Sequence, residues 1–131
     1  MENQIIYTTK KEFTSITFDT TDNYFLFSGA DCRCLADYLD QVYAKLSFPP
    51  IDVQRTIDTY FDWIRDLNWL SEDEIVFVIT DFDLFLSNDK SNKELVIKLF
   101  ENEILPWWEM EVINHVVGGT PRKFTVYLVS Q

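Results

Sequence analysis

The sequence predicts an α/β fold: a small, mainly parallel sheet of about three strands, with possible edge strands, packed by three or more helices. Three observations carry this. Residues 74–80 (EIVFVIT) form a continuous β-branched run, which suits a strand covered on both faces. Two long segments, 33–46 and 53–69, repeat apolar residues at helical spacing. Strand and helix signals then alternate along the chain, as in layered folds built from parallel strands.

In chain order, residues 12–18 (EFTSITF) alternate weakly, as an edge strand would. Residues 23–27 (NYFLF) read as the first firm strand, short and aromatic, stopped by Ser28-Gly29. Asp31 is the expected N-cap of a helix over 33–46, whose stripe is Leu35, Leu39, Val42, Tyr43 and Leu46. Pro49-Pro50 closes that segment. The helix over 53–69 turns Ile57, Tyr60, Phe61, Ile64 and Leu67 inward. After the 74–80 strand, Ser91 and Glu94 have capping-box spacing ahead of Leu95, Val96, Leu99 and Phe100. Pro106 is expected to end or kink this third helix. Residues 107–117 (WWEMEVINHVV) fit either more helix or a strand paired in a hairpin with 123–129. Gly118-Gly119 with Pro121 marks a turn, and KFTVYLV (123–129) is the last strand. No repeat, low-complexity stretch or linker interrupts the 131 residues, so residues 1–131 read as one domain.

Composition narrows the function. Apolar residues make up 47% of the chain and aromatics 16%, too much for a disordered segment. Acidic residues outnumber basic ones 22 to 11, a formal net charge of −11. That field repels phosphate backbones and anionic membranes, so neither nucleic acid nor membrane is an expected partner. A basic protein is attracted and its encounter accelerated. Cys32 and Cys34 are too close in sequence for an unstrained disulfide. With His115 as the lone histidine they make no zinc set, so no metal and no cofactor are expected. Reduced thiols, and an N-terminus without the cationic start and apolar run of a secretory signal, point to the cytoplasm.

The second helix carries the most informative pattern. Asp58, Asp62 and Asp66 step along it at i, i+4 and i+8, off the apolar stripe. Like charges at this spacing oppose one another, so the ridge costs helix stability unless it is used. Thr59 and Trp63 lie beside it, also off the stripe, and an aromatic beside acidic groups suits an interface anchor. The plainer reading is a solvated face whose charge Arg55 and Arg65 relieve.

Residues 57–64 (IDTYFDWI) resemble the second helix of the barstar family, intracellular inhibitors of the ribonuclease barnase. Ile57, Asp58, Phe61, Asp62 and Ile64 fall in register with that family's apolar-Asp-x-x-aromatic-Asp-x-apolar pattern. The strand NYFLF, the helix ending AKLSFP, the strand EIVFVIT, the helix ELVIKLF and the closing strand KFTVYLVS follow in the family's order. The resemblance implies a barstar-like layered fold and a monomeric inhibitor or immunity protein, not an enzyme. Its partner is then a basic protein, a ribonuclease toxin, entered by this helix and the loop before it. Asp62 would be the central plug among the ribonuclease's active-site cations, supported by Asp58. Thr59, Trp63, Asp66 and Asp52 complete the expected contact surface. Relative to the family, residues 1–20 are an N-terminal extension and 103–120 an insertion. The insertion contains Trp107-Trp108, expected to serve the core rather than an interface.

The chain also departs from the pattern. Pro50 to Thr56 stand where the family has a Tyr-Tyr-Gly-x-Asn stretch, and Asn102, between Glu101 and Glu103, falls near a late-helix glutamate of the family. A binding or immunity module on the same scaffold with a non-ribonuclease partner therefore remains an alternative. A further one comes from Asp81-Phe82-Asp83 after the buried strand, which resembles the Asp-x-Asp of haloacid-dehalogenase-like phosphatases. Phe85 stands where that family has a small hydroxyl or branched residue, and about 50 residues remain for the other ligands that such chemistry needs. Ser, Cys and His show no triad-like arrangement.

Overall fold

A computed structural model describes residues 2–15, 23–49, 55–71 and 73–131. In chain order the elements are β1 (Gln4–Thr9), α1 (Lys10–Phe13), β2 (Asn23–Ser28), a 3-10 turn (Gly29–Asp31), α2 (Leu35–Lys45), α3 (Ile57–Ile64), β3 (Glu74–Thr80), α4 (Lys90–Leu99), two π-helical stretches (Phe100–Ile104 and Trp107–Glu111), α5 (Val112–His115) and β4 (Lys123–Ser130). The strands form one sheet in the order β1-β4-β3-β2, and every pair is parallel. The expected α/β layers are present, with a fourth strand added at the β4 edge.

Connection handedness explains the layering. From β2 to β3 and from β3 to β4 the chain steps in one direction, so right-handed crossovers put their helices on one face. On that face Phe27, Ile75, Phe77, Ile79, Phe124, Val126 and Leu128 meet Tyr38, Val42, Tyr60, Ile64, Val96, Phe100, Trp108 and Val112 in the main core. The step from β1 back to β2 runs the other way. Its first element, α1, accordingly lies on the opposite face, where Phe13 packs with Tyr127 on Val76, Val78 and Val129. β3 is thus covered on both sides, as its unbroken apolar run requires.

Several expectations are corrected. The N-terminal edge strand is Gln4–Thr9, not 12–18: Glu12 and Phe13 are helical, Thr14 and Ser15 form a turn, and 16–18 lie outside the described residues. Asp31 sits in the 3-10 turn, and α2 is capped by Cys34 without a side-chain bond. Of the expected 53–69 helix, residues 53 and 54 lie outside the described residues, and among the rest the helix is confined to Ile57–Ile64. Ser91 lies inside α4, which starts after Asp89. The Asp89 carboxylate instead accepts from Asn92 and from the backbone N–H of Leu35. Pro106 does not end its helix. It sits between two π-helical stretches with φ −62°, and helical backbone runs from Lys90 to His115. In the first stretch the N–H of Leu105 reaches back five residues to the carbonyl of Phe100. A widened turn relieves the clash of a proline ring with the carbonyl of the preceding turn. Residues 107–115 are therefore helix, not strand.

Candidate functional site: the acidic helix

α3 is only eight residues long, too short to hold together alone in water. Its ends and its buried face hold it. At the N-terminus Thr56 Oγ1 accepts from Thr59 N at 3.2 Å while Thr56 N donates to Thr59 Oγ1 at 3.1 Å, a reciprocal cap. Tyr43 of α2 donates its hydroxyl to the same Thr59 Oγ1 at 2.9 Å, tying the cap to the neighbouring helix. The buried face consists of Tyr60 and Ile64, with Leu67 in the following turn, all fully inaccessible. Tyr60 and Tyr38 share a buried hydroxyl–hydroxyl bond of 2.9 Å, and desolvation pushes both phenol pKa values above their ordinary 10.

The C-terminus is held by the segment beyond Pro106. Trp108 Nε1 donates to Ile64 O and Trp107 Nε1 to Arg65 O, each at 2.9 Å. Arg122 adds a 2.9 Å bond to Leu67 O. The two indoles satisfy carbonyls at the helix end, and Arg122 adds a second donor to the Leu67 carbonyl, which also accepts from Leu70 N, in the turn beyond it. Trp108 is buried and Trp107 half-buried, in agreement with a core role, and both act directly on α3. Hydrophobic periodicity could not reveal this, because both bonds come from indole N–H groups some 40 residues away.

On this frame Asp58 and Asp62 stand one turn apart, both exposed. Asp58 lies in the first turn, where a carboxylate is favoured by the helix dipole. Asp62, with its side chain 74% accessible, accepts from Arg65 at 3.3 Å. Arg55 turns away from the ridge: it bonds Asp40 of α2 at 2.7 Å and lies over the Tyr43 ring. Asp66 is not on the helix. The chain leaves α3 at Arg65, Leu67 takes φ +49°, and Asp66 lines a groove of about 690 Å³ with Asp73, Trp108, Val112 and Val116. The three-carboxylate ridge is thus two helical carboxylates and a third in the next turn.

The other expected contact residues are placed as follows. Trp63 is half-buried, edge-to-face on Trp69 at 5.7 Å, so it packs on the core rather than standing free. Thr59 commits its hydroxyl to the cap. Asp52 lies outside the described residues.

At the sheet's carboxyl end, the Asp81 carboxylate accepts from Gln131 Nε2 at 2.7 Å, and Lys93 Nζ donates to Phe82 O at 3.0 Å. Among the described residues, no group of three or more His, Cys, Asp and Glu side chains is arranged to hold a metal ion. Among the described residues no helix is long and apolar enough to cross a membrane.

The model of a protein family described as Barstar (barnase inhibitor) matches residues 23–128. No curated protein and no solved structure matches the chain. The family match begins at β2, takes in α2, the acidic α3, β3 and the whole 90–115 helix, and ends within β4, leaving β1 outside it. The chain belongs to the barstar family.

Proposed function

We propose that the chain is a cytoplasmic, monomeric inhibitor of a basic ribonuclease, and that α3 is the element that blocks the enzyme. The observation that carries this reading is the presentation of Asp58 and Asp62: adjacent exposed carboxylates on a family helix pinned at both ends. In the cationic cleft of a ribonuclease, a carboxylate takes the place of a substrate phosphate and accepts charge-assisted hydrogen bonds. Rigid presentation lowers the ordering cost of association. The net charge of −11 adds long-range attraction to a basic enzyme.

The test is inhibition. Barnase, the enzyme in the family's description, and other small basic ribonucleases are titrated with the protein and with Asp62→Ala and Asp58→Ala. The expected result is stoichiometric inhibition by the wild type. Loss from Asp62→Ala should be at least about 2 kcal/mol, roughly thirtyfold, as for removal of one member of a desolvated charge pair. Full-strength inhibition by Asp62→Ala would overturn the assignment of Asp62.

A second reading is favoured by Pro50 to Thr56, where the family's Tyr-Tyr-Gly-x-Asn stretch is replaced. In this reading α3 meets a basic protein that is not a ribonuclease. Binding by a basic toxin domain encoded beside this chain, without ribonuclease activity to inhibit, selects it.

A further inference from the structure

Arg65 occupies an unusual place beside Asp62. Its guanidinium lies 3.7 Å from the centre of the Phe61 ring and 5.5 Å from that of Trp107. Nε donates to Phe61 O at 3.2 Å, and NH2 donates to Asp62 Oδ1 at 3.3 Å. The backbone carbonyl of Arg65 is itself held by Trp107 Nε1. The fork is therefore fixed in position and plane by two rings and one carbonyl before it reaches the carboxylate. The side chain is 30% accessible against 74% for Asp62, so the donor is embedded and the acceptor is offered to solvent. The rings and the Phe61 carbonyl account for the stability that the fork adds, and the exposed i,i+3 ion pair to Asp62 contributes little to it.

The geometry points to Arg65 as a positioning residue for partner binding: it holds one oxygen of Asp62 so that the other faces outward in a single orientation. The inference rests on the reading of Asp62 as the central contact. A planar fork with a fixed Nε bond performs this task, and a lysine ammonium does not. A freely rotating carboxylate must be ordered on docking, at a cost equivalent to about a fivefold change in affinity. Arg65 removes that cost in advance. Its charge works against long-range attraction of a basic partner, so the two effects of removing it have opposite kinetic signatures.

The experiment uses the full chain, Arg65→Gln and Arg65→Lys, with barnase as the probe, and follows association and dissociation separately. Arg65→Gln makes the face more acidic and should associate faster, yet dissociate about fivefold faster. Arg65→Lys keeps the charge and should still dissociate faster than wild type. Unchanged or slower dissociation of Arg65→Gln would show that Arg65 merely competes with the partner, and full rescue by lysine would show that charge suffices. Either result overturns the proposal. A second readout needs no partner: three-bond Hα–Hβ couplings of Asp62 should report one χ1 rotamer in the wild type and averaging in Arg65→Gln. Averaging already in the wild type overturns the inference. Failure of the wild type to bind barnase counts against the ribonuclease reading alone, and the couplings then decide the role of Arg65.

Discussion

The indole Nε1 of Trp108 donates to the carbonyl oxygen of Ile64 at 2.9 Å, inside the core and across 44 residues of chain. This bond closes the acidic helix. Trp108→Phe keeps most of the packing but leaves the Ile64 carbonyl without its donor, an expected loss of about 1–3 kcal/mol. Trp107→Phe should cost less, because the half-exposed Arg65 carbonyl can turn to water. Urea unfolding of both variants measures the difference. Equal losses would show that the two bonds are equivalent.

Tyr38 and Tyr60 form a closed hydroxyl pair that joins α2 to α3 at 2.9 Å with both side chains fully buried. Either single change to Phe strands one hydroxyl and should destabilise by about 1–2 kcal/mol. The double change strands nothing. Its cost should fall short of the sum of the singles by about 1 kcal/mol, measured as a double-mutant cycle. Strict additivity would contradict the pairing.

Cys32 and Cys34 differ sharply in environment. Cys32 is inaccessible, and desolvation, reinforced by Asp37 and Asp31, pushes its thiol from 9.0 up to about 12. The folded protein therefore keeps this proton where the unfolded chain releases it. The resulting stability is complete below about pH 9 and is lost as pH rises towards 12. Buried tyrosines add their own loss above pH 10 by the same logic. Denaturation midpoints at successive pH values should fall from pH 9 in the wild type and only from about pH 10 in Cys32→Ala. Iodoacetamide at pH 8 should label the half-buried Cys34 in the native protein and reach Cys32 only on unfolding, as peptide mass spectrometry will record.

Two glycines should lose stability to very different extents on Ala substitution. At Gly29 an added Cβ would stand 2.2 Å from Asp81 O and 2.5 Å from Thr80 O, both backbone atoms at the end of β3. Relief requires moving the strand end, so Gly29→Ala should cost about 3 kcal/mol or more. At Gly118 the Cβ meets nothing, and only the φ of +72° opposes it. Gly118→Ala should cost about 1 kcal/mol. Thermal unfolding ranks the two, and a larger loss at Gly118 would contradict the tight contact at Gly29.

Local signals in the chain were sufficient for the elements that bury a continuous face. The β-branched run of β3, the helical stripe through Tyr60, Ile64 and Leu67, and the closing strand each expose their period directly, because burial is what sets the period. The spacing of Asp58 and Asp62 off that stripe was legible for the same reason. β1 was not: Gln4–Thr9 becomes a strand by pairing with β4, more than a hundred residues away.

The sequence by itself determined the layered α/β class, the core face of the acidic helix and the placement of two carboxylates on its open side. The tertiary structure decided where that helix stops and what its neighbours do. Asp66 leaves the ridge where Arg65 ends the helix and Leu67 turns to positive φ, with Trp107 and Trp108 taking the terminal carbonyls and Arg122 holding the turn beyond them at Leu67 O. Thr59 becomes a cap partner of Tyr43, and Arg65 becomes the clamp on Asp62. These are hydrogen bonds between polar groups distant in sequence. Such bonds leave no periodicity along the chain, and only the packed molecule brings their partners within reach.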